Sequence, residues 1–320
     1  MRALSGRSAR RRTRTFLVEG PQAVREAVAA HCDETRAARA GASGTAAPGG
    51  TGADGARTGR ARDTRTDGTR GPGGARERTG GPGGRGPAGL VRALYATPEA
   101  LDREDSLFHR ARACGIRPVP VTDRVLAAMA DTVTPQGMLA VCAVREVSLD
   151  EVLATGPLLV AVLDRVRDPG NAGTVLRAAD AAGADAVVLT SSSVDVHNPK
   201  CVRSTAGSLF HLPVVTGADL PGAVRALRRA GLRVHATAGN GPVDLDDLLD
   251  DPAAPCGLGA PTAWVFGNEA RGLDEGDLAL ADDAVRVPVH GRAESLNLAM
   301  AATVCLYASA RAQRGVRGSR

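Results

Sequence analysis

A chain of 320 residues is long enough to form two domains of ordinary size. None of its apolar runs approaches the ~18 residues that a membrane-spanning helix needs. The basic start also lacks the apolar segment that follows in a secretory signal. We therefore expect a cytoplasmic protein without a membrane partner.

The formal net charge of +5 is concentrated in two segments. Residues 1–15 contain six arginines and no acid, and residues 35–89 carry +6, so the rest of the chain carries −7. Basic arms on an acidic body suggest a polyanionic partner, attracted by the arms and positioned by a local cluster on the body. The alternative is that the arms only increase solubility.

The six cysteines and six histidines are scattered along the chain, without close pairing or metal-ligand spacing. We therefore expect reduced thiols, which are typical of cytosolic proteins, and no metal site.

The first part of the chain predicts a small α/β domain over residues 1–147. A strand and an amphipathic helix occupy residues 15–31, with Pro21 at a first helical position. The following elements alternate strand, helix, strand, helix and strand, at residues 89–97, 98–114, 116–121, 123–130 and 138–144.

Residues 35–89 interrupt this domain. They contain 17 glycines and no large apolar residue, so they cannot bury enough apolar surface to offset the entropy of ordering. We expect this insertion to be disordered. Its segment GPGGRG (81–86) matches a dinucleotide-binding pattern, but no strand precedes it, and we reject that interpretation.

Strands and helices alternate through the second part of the chain, residues 156–314. Near-continuous apolar strands in this arrangement indicate a parallel sheet covered by helices on both faces. Ligands of such sheets bind at the carboxyl ends of the strands. The predicted strands are 158–164, 185–190, 212–215, 232–237, 262–267 and 284–289, and the predicted helices lie near 172–182, 199–206, 219–230 and 295–310.

The first polar strand end leads into NAGTVLRAADAAGAD (171–185). Asn171 suits a helix N-cap, and Gly173 and Arg177 lie four residues apart on one face near the helix start. Because Gly173 has no side chain, we expect open space beneath Arg177 for a nucleotide. The alternative is an ordinary arginine on a solvated face.

The second such segment is HNPKCVRSTAGSLF (197–210). Lys200, Arg203 and Gly207 are spaced to share one helix face behind a possible Asn198 cap. Two cations at a helix start form a candidate phosphate site. The alternative is a surface helix with ordinary charges.

The third segment is VFGNEARGL (265–273). Gly267 permits close approach of a backbone, and Asn268 and Glu269 place an amide and a carboxylate at the end of a predicted strand. The alternative is a simple turn without a binding role.

The fourth segment, 287–314, predicts a helix capped by Ser295, with Asn297 in its first turn. A buried amide in such an apolar helix must be hydrogen-bonded or lose about 1–3 kcal/mol, so we expect Asn297 to serve a site. Alternatively, Ser295 is only a cap and Asn297 braces the preceding loop. One side of this helix is apolar: Leu296, Met300, Val304 and Tyr307.

Three of these segments, NAGTVLRAADAAGAD, VFGNEARGL and VPVHGRAESLNLAMAA, in this order resemble the motifs of the SpoU (TrmH) family of RNA ribose methyltransferases, in the SPOUT superfamily. The resemblance covers residues 156–314. FLVEGPQAVREAV and TPQGMLAVCAV resemble the small ribosomal-protein-like, substrate-binding domain that precedes the catalytic domain in many members. The 35–89 insertion departs from that pattern.

The resemblance implies a SPOUT-type, trefoil-knotted catalytic domain that binds S-adenosylmethionine (AdoMet) and forms a homodimer. Backbone around Gly267, Val287 and Leu296 would hold the cofactor. Arg177 would face the target ribose, and four further matched residues would arrange the catalytic site: Asn171, Glu269, Ser295 and Asn297. Residues 315–320 would form a short tail.

The implied reaction is 2′-O-methylation of a ribose in structured RNA. The N-terminal domain favours 23S rRNA over tRNA, and the motif set favours ribose over base methylation. Because a guanidinium stays protonated, we expect Arg177 to stabilise the developing alkoxide rather than act as a base. Two alternatives are a ribosome-assembly factor without catalysis and a nucleotide-dependent oxidoreductase, although the Gly-rich fingerprint of the latter is missing after any predicted strand.

Overall fold

The computed structural model of the chain describes residue 4 and residues 6–43, 89–251 and 257–317. These residues form two domains, each built on its own sheet. Within the described ranges, every helix is too short or too polar to cross a membrane.

The N-terminal domain is an α/β unit. Its elements are, in chain order, α1 (Arg7–Thr13), β1 (Thr15–Glu19), α2 (Pro21–Ser43), β2 (Val91–Ala96), α3 (Pro98–Arg103), α4 (Asp105–Ala113), β3 (Pro118–Pro120), α5 (Asp123–Met129) and β4 (Met138–Ala143). Its sheet has the order β1-β4-β2-β3, in which β4 runs antiparallel to β1 and β2, and β3 runs parallel to β2. The central strand β4 is buried along its whole length because α2 covers one face of the sheet and α1 and α5 cover the other.

Two boundaries in this domain differ from the predictions. α2 continues to Ser43, so the first residues of the predicted disordered insertion are helical. Alanine and arginine dominate this stretch, and both are strong helix formers. Residues 44–88 lie outside the described residues. The helix predicted over 98–114 breaks at Glu104 into α3 and α4.

A disulfide joins Cys32 of α2 to Cys114 after α4, with 5.3 Å between the Cα atoms. The expectation of reduced thiols throughout was therefore wrong for this pair. The two cysteines are 82 residues apart in sequence, and only the packing of α2 on α4 brings them together. Three described cysteines are free, as expected, and all three are buried: Cys142, Cys201 and Cys305.

The second domain begins with a short helix, α6 (Leu149–Leu153), whose apolar residues pack on this domain's core. The remaining elements are β5 (Leu159–Leu163), α7 (Pro169–Ala181), β6 (Ala186–Thr190), α8 (Pro199–Ser204), β7 (Val214–Ala218), α9 (Leu220–Arg229), β8 (Arg233–Thr237), β9 (Val243–Asp244), α10 (Leu245–Asp250), β10 (Thr262–Phe266), α11 (Glu275–Leu278), β11 (Asp283–Arg286), α12 (Leu298–Ala312) and α13 (Arg314–Arg317).

The sheet of the second domain has the order β7-β6-β5-β10-β8-β11-β9, and every strand pair in it is parallel. The predicted parallel sheet covered on both faces is therefore confirmed. Because side chains alternate along a strand, Trp264 and Phe266 of β10 enter one core, and Ala263 and Val265 enter the other. The indole Nε1 of Trp264 donates to Ser309 Oγ at 2.8 Å, which anchors α12 to the sheet.

β11 ends three residues earlier than predicted, at Arg286. Pro288 lacks a backbone N–H and cannot continue the ladder, so residues 287–289 leave the sheet. This early end frees Val287 and Val289 to line a pocket at the sheet edge.

The buried histidine His235 of β8 predicts a pH-dependent stability. It packs against Trp264, with 5.0 Å between ring centroids. Burial, with a smaller contribution from nearby Arg233, lowers the pKa of His235 to about 4 against the opposing effect of Asp283 and Asp282. Because the unfolded chain takes up the proton near pH ~6.5, stability falls as the pH falls from that value towards 4.

We expect the wild-type protein to lose about 2 kcal/mol more stability than a His235→Leu variant between pH 7 and pH 5. Urea unfolding at the two pH values measures this difference. Equal losses in the two proteins would show that His235 does not carry the pH dependence.

Candidate active site

Three segments that are distant in sequence meet at the carboxyl edge of the parallel sheet. Asn171 Nδ2, in the first turn of α7, donates to Glu269 Oε1 at 3.3 Å. Asn297 Nδ2, at the start of α12, donates to Asn171 Oδ1 at 3.2 Å. The structure thus joins three of the predicted site residues by hydrogen bonds, in the order Asn297–Asn171–Glu269. We call them the Asn–Glu–Asn chain, after their order in the sequence.

The carboxylate of Glu269 holds the loop that follows β5. Its two oxygens accept the backbone N–H groups of Arg167 at 3.2 Å and Asp168 at 3.0 Å. Burial alone would raise the pKa of Glu269, but the hydrogen bonds from its own N–H, from Asp168, from Arg167 and from Asn171 together keep that pKa below its usual value. Glu269 is therefore an ionised acceptor that orients the loop.

The loop after β10 is tightly closed. Gly267 lies so close to the return of this loop that an added Cβ would meet the carbonyl carbon of Gly272 at 2.4 Å. Asn268 Nδ2 donates to the Arg165 carbonyl at 2.9 Å, and Asn268 Oδ1 accepts the N–H of Ala270 at 3.0 Å. The expected close backbone approach at Gly267 is present, and it lies within the turn itself.

A pocket of about 240 Å³ opens beside the Asn–Glu–Asn chain. Its walls include the three predicted cofactor residues, Gly267, Val287 and Leu296, together with Ser295 and Glu269. Residues 237–239, at the end of β8 and just beyond it, complete the pocket and were not predicted. The rule that ligands bind at strand ends would have indicated them, since they lie at the carboxyl end of a predicted strand.

Comparison with known proteins decides the family. A model of the SpoU rRNA Methylase family matches residues 158–307. The 23S rRNA (guanosine(2553)-2'-O)-methyltransferase RlmP of Bacillus subtilis is 37% identical over 222 residues, which cover 68% of this chain and 84% of the relative. The chain belongs to the SpoU rRNA methylase family. The predicted family membership is therefore confirmed.

Further SpoU relatives match both domains. The 23S rRNA (guanosine-2'-O-)-methyltransferase RlmB of Bordetella pertussis is 32% identical over 70% of this chain and 91% of its own length. The crystal structure of AviRb from Streptomyces viridochromogenes with AdoMet is 26% identical, with a TM-score of 0.65 over 98% of this chain and 96% of that one. An AdoMet-bound rRNA methyltransferase from Sinorhizobium meliloti is 25% identical, with a TM-score of 0.66 over 97% and 92% of the two chains.

The helix caps of this SpoU methylase differ from those predicted. Asp168, not Asn171, caps α7, because its Oδ1 accepts the N–H of Asn171 at 2.8 Å and Pro169 starts the helix. The Asp-Pro pair was the signal for this start, since proline favours the first helical position. Asn297, not Ser295, caps α12 by accepting the N–H of Ala299 at 2.8 Å. Asn297 is exposed, so the expectation of a buried amide was also wrong.

Gly173 does not leave open space beneath Arg177. An added Cβ at Gly173 would meet the carbonyl oxygen of Cys201 at 2.4 Å, because α8 packs closely on α7. Arg177 is exposed and makes no hydrogen bond or ion pair with the residues that the structure describes. It follows Asn171 by six residues, which is about 9 Å along the helix and about 240° around it. Arg177 therefore lies on another face and does not join the Asn–Glu–Asn chain.

The predicted phosphate site on α8 is occupied by ion pairs within the chain. Lys200 Nζ contacts Asp168 Oδ2 at 2.7 Å, and Arg203 contacts Asp131 at 3.1 Å and Glu19 at 3.5 Å. The hydrogen bond from Lys200, with that from the N–H of Asn171, lowers the pKa of Asp168. Since α8 ends at Ser204, Gly207 lies beyond the helix and does not share its face.

Proposed function

We propose that the protein transfers a methyl group from AdoMet to a ribose 2′-hydroxyl of 23S rRNA in the cytoplasm. The observation that carries this proposal is the Asn–Glu–Asn chain, which joins all three family motifs beside one pocket. Relatives named as 23S rRNA 2'-O-methyltransferases support the choice of RNA.

The residues of the pocket suit AdoMet. Apolar side chains such as Val287, Leu296 and Leu298 offer a wall for an adenine ring. Glu269 and Glu294 line the same pocket and offer negative charge to a cofactor that carries a sulfonium and an ammonium group. AdoMet, when bound, supplies an electrophilic methyl group. We propose that Gly267, Val287 and Leu296 hold it.

The protein's own contribution is orientation and charge. Displacement at a methyl carbon needs an aligned nucleophile, and the ribose hydroxyl must lose its proton as the bond forms. Within our proposal, Asn171, Glu269 and Asn297 fix the loops that shape the site, and Ser295 lies at its wall. Arg177 stabilises the negative charge that develops on the ribose oxygen.

A homodimer accounts for the exposed position of Arg177. Met300, Val304 and Tyr307 form an apolar stripe along the outer face of α12, and each is 43–56% exposed. Exposed apolar stripes of this kind mark interfaces. Tyr307 Oη donates to the carbonyl of Ala181, one turn beyond Arg177, so the stripe lies beside this arginine. We propose that two copies pair through α12 and that Arg177 serves the partner's pocket.

Two measurements test this function together. Calorimetric titration should show AdoMet binding, and labelled methyl should appear in 23S rRNA rather than in tRNA, at a nucleotide that primer extension maps as a 2′-O-methyl stop. AdoMet binding without transfer to any RNA would contradict the proposed reaction. Absence of AdoMet binding would instead favour a non-catalytic assembly factor.

A further inference from the structure

We propose that the RNA substrate runs along the carboxyl edge of the catalytic sheet over four arginines: Arg7, Arg11, Arg167 and Arg271. We call this set the arginine row. The inference rests on the proposed function and adds to it a path for the RNA backbone, which includes a helix outside the family match.

The helix α1 is fixed to the catalytic domain by a partly buried ion pair. Arg10 is 3% exposed, its Nη2 contacts Asp195 Oδ2 at 2.7 Å, and its Nη1 donates to the Leu4 carbonyl at 2.9 Å. Arg14 at the end of α1 pairs with Glu146. These contacts give the basic N-terminal segment a fixed position against the catalytic domain.

Arg7 and Arg11 lie one turn apart on α1 and line a cavity with Arg10 and Arg14. The opposite wall is formed by residues at the carboxyl ends of β6 and β7, including Ser191 and Thr216. Hydroxyl groups of this kind are common donors to the phosphates of nucleic acids. The cavity therefore combines cations and neutral donors.

The same sheet edge continues towards the catalytic pocket. Arg167 and Arg271 line a second cavity at the ends of β5 and β10, and this cavity shares Asn268, Glu269 and Gly272 with the cofactor pocket. The loop after β6 contacts the loop after β5, because the N–H of Val194 donates to the carbonyl of Val166 at 2.8 Å. The four strands are adjacent in the order β7-β6-β5-β10, so their ends span about 14 Å at the usual strand spacing.

In these two cavities the carboxylates already have partners within the chain, whereas the four guanidinium groups of the arginine row do not. Each acid that lines them is already engaged, since Asp195 and Glu146 pair with Arg10 and Arg14, Asp274 pairs with Arg165, and Glu269 accepts backbone N–H groups. The four arginines of the row are exposed, and their guanidinium groups have no ion pair or hydrogen bond to another described residue, although the backbone N–H groups of Arg167 and Arg271 donate to Glu269 and Asn268.

This row differs from Lys200 and Arg203, which are both paired with carboxylates. Unpaired guanidinium groups bind phosphates well because their planar donors match the phosphate oxygens. A row of them along an otherwise acidic body fits a single-stranded RNA segment, whose backbone follows the sheet edge while one ribose reaches the pocket.

The test compares full-length wild-type protein with an Arg7→Gln/Arg11→Gln double variant on transcribed 23S rRNA. Each lost phosphate contact on single-stranded RNA lowers the slope of log affinity against log salt by about 0.7. For the double variant we expect the slope of log KM against log salt concentration to fall by about 1.4. KM near 0.1 M KCl should rise on the order of 20-fold. AdoMet binding by calorimetry reports the folded catalytic domain in both proteins.

Arg229→Gln is the matched control, because Arg229 is an exposed arginine at the end of α9, on the amino edge of the same sheet, and its side chain has no partner among the residues that the structure describes. It should leave both KM and the salt slope unchanged.

If the Arg7/Arg11 variant loses AdoMet binding, Arg167→Gln/Arg271→Gln tests the other half of the row by the same slope. A wild-type salt slope in a variant that still binds AdoMet would overturn the path, whereas a wild-type protein that methylates no RNA would overturn the function instead.

Discussion

Arg177→Ala should reduce the rate of methyl transfer at saturating substrates by about 10²–10³-fold. Arg177 is exposed on α7 and has no partner among the described residues, so its guanidinium is free to face the substrate oxygen. Since arginine stays protonated, the loss measures charge stabilisation in the transition state rather than removal of a base. Single-turnover rates with labelled AdoMet give this value directly.

The conservative variant separates charge from geometry. Arg177→Lys retains the positive charge but lacks the planar guanidinium. Partial activity would show that the charge of Arg177 is what the reaction needs, and near-complete loss would show that its bidentate contact is needed. Calorimetry should show AdoMet binding in each variant, and Arg229→Ala on α9 is the control for an exposed arginine away from the site. An unchanged rate in Arg177→Ala would exclude both roles.

Mixed dimers test from which subunit Arg177 acts. If Arg177 serves the partner's pocket, an Arg177→Ala subunit paired with a Glu269→Ala subunit retains one site with both residues intact. Mixing the two inactive variants should then restore activity to roughly half of the wild-type rate per dimer. No recovery in confirmed heterodimers would place Arg177 and Glu269 in the site of one chain.

The sequence predicts the features of this fold that depend on local pattern. Apolar runs bounded by glycine and polar residues located β5, β6, β8 and β10 to within about two residues, because buried parallel strands need continuous apolar stretches. The strand-end rule then placed Glu269 and its neighbours at the correct edge of the sheet. The convergence of Asn171, Glu269 and Asn297 was inferred from the family motifs in addition to this rule.

The features that the sequence did not predict depend on contacts between distant segments. The sequence suggested that Gly173 leaves space for a ligand, because the pattern of α7 alone does not show that α8 packs against this glycine. The Cys32–Cys114 pair and the docking of Arg10 on Asp195 join residues separated by 82 and 185 positions. Spacing within one element carries no information about such pairs, so the fixed position of α1 could only be read from the structure.

The second large effect is expected at Glu269. Its two carboxylate oxygens each accept a backbone N–H, from Arg167 and from Asp168. In Glu269→Gln one of these oxygens becomes an NH₂ group, so a donor faces a donor in a tightly closed loop. Such an unsatisfied contact costs about 1–3 kcal/mol, and removal of the negative charge adds to the loss.

We expect Glu269→Gln to release the loop that leads into α7 and Asn171, and with it the Asn–Glu–Asn chain beside the pocket. If the loss of order at the site costs about 3 kcal/mol, the rate of methyl transfer should fall about 100-fold, and AdoMet should bind more weakly.

Glu275→Gln is the matched control, because Glu275 is an exposed carboxylate of α11 in the same region. Its kinetics and AdoMet affinity should equal those of the wild type. Circular dichroism should show an intact fold in both variants, since the other helices and strands do not depend on this carboxylate. Glu269→Gln activity within twofold of the wild type would show that the carboxylate is not what positions Asn171, and that the backbone of the loop is held by the closed turn at Gly267 alone.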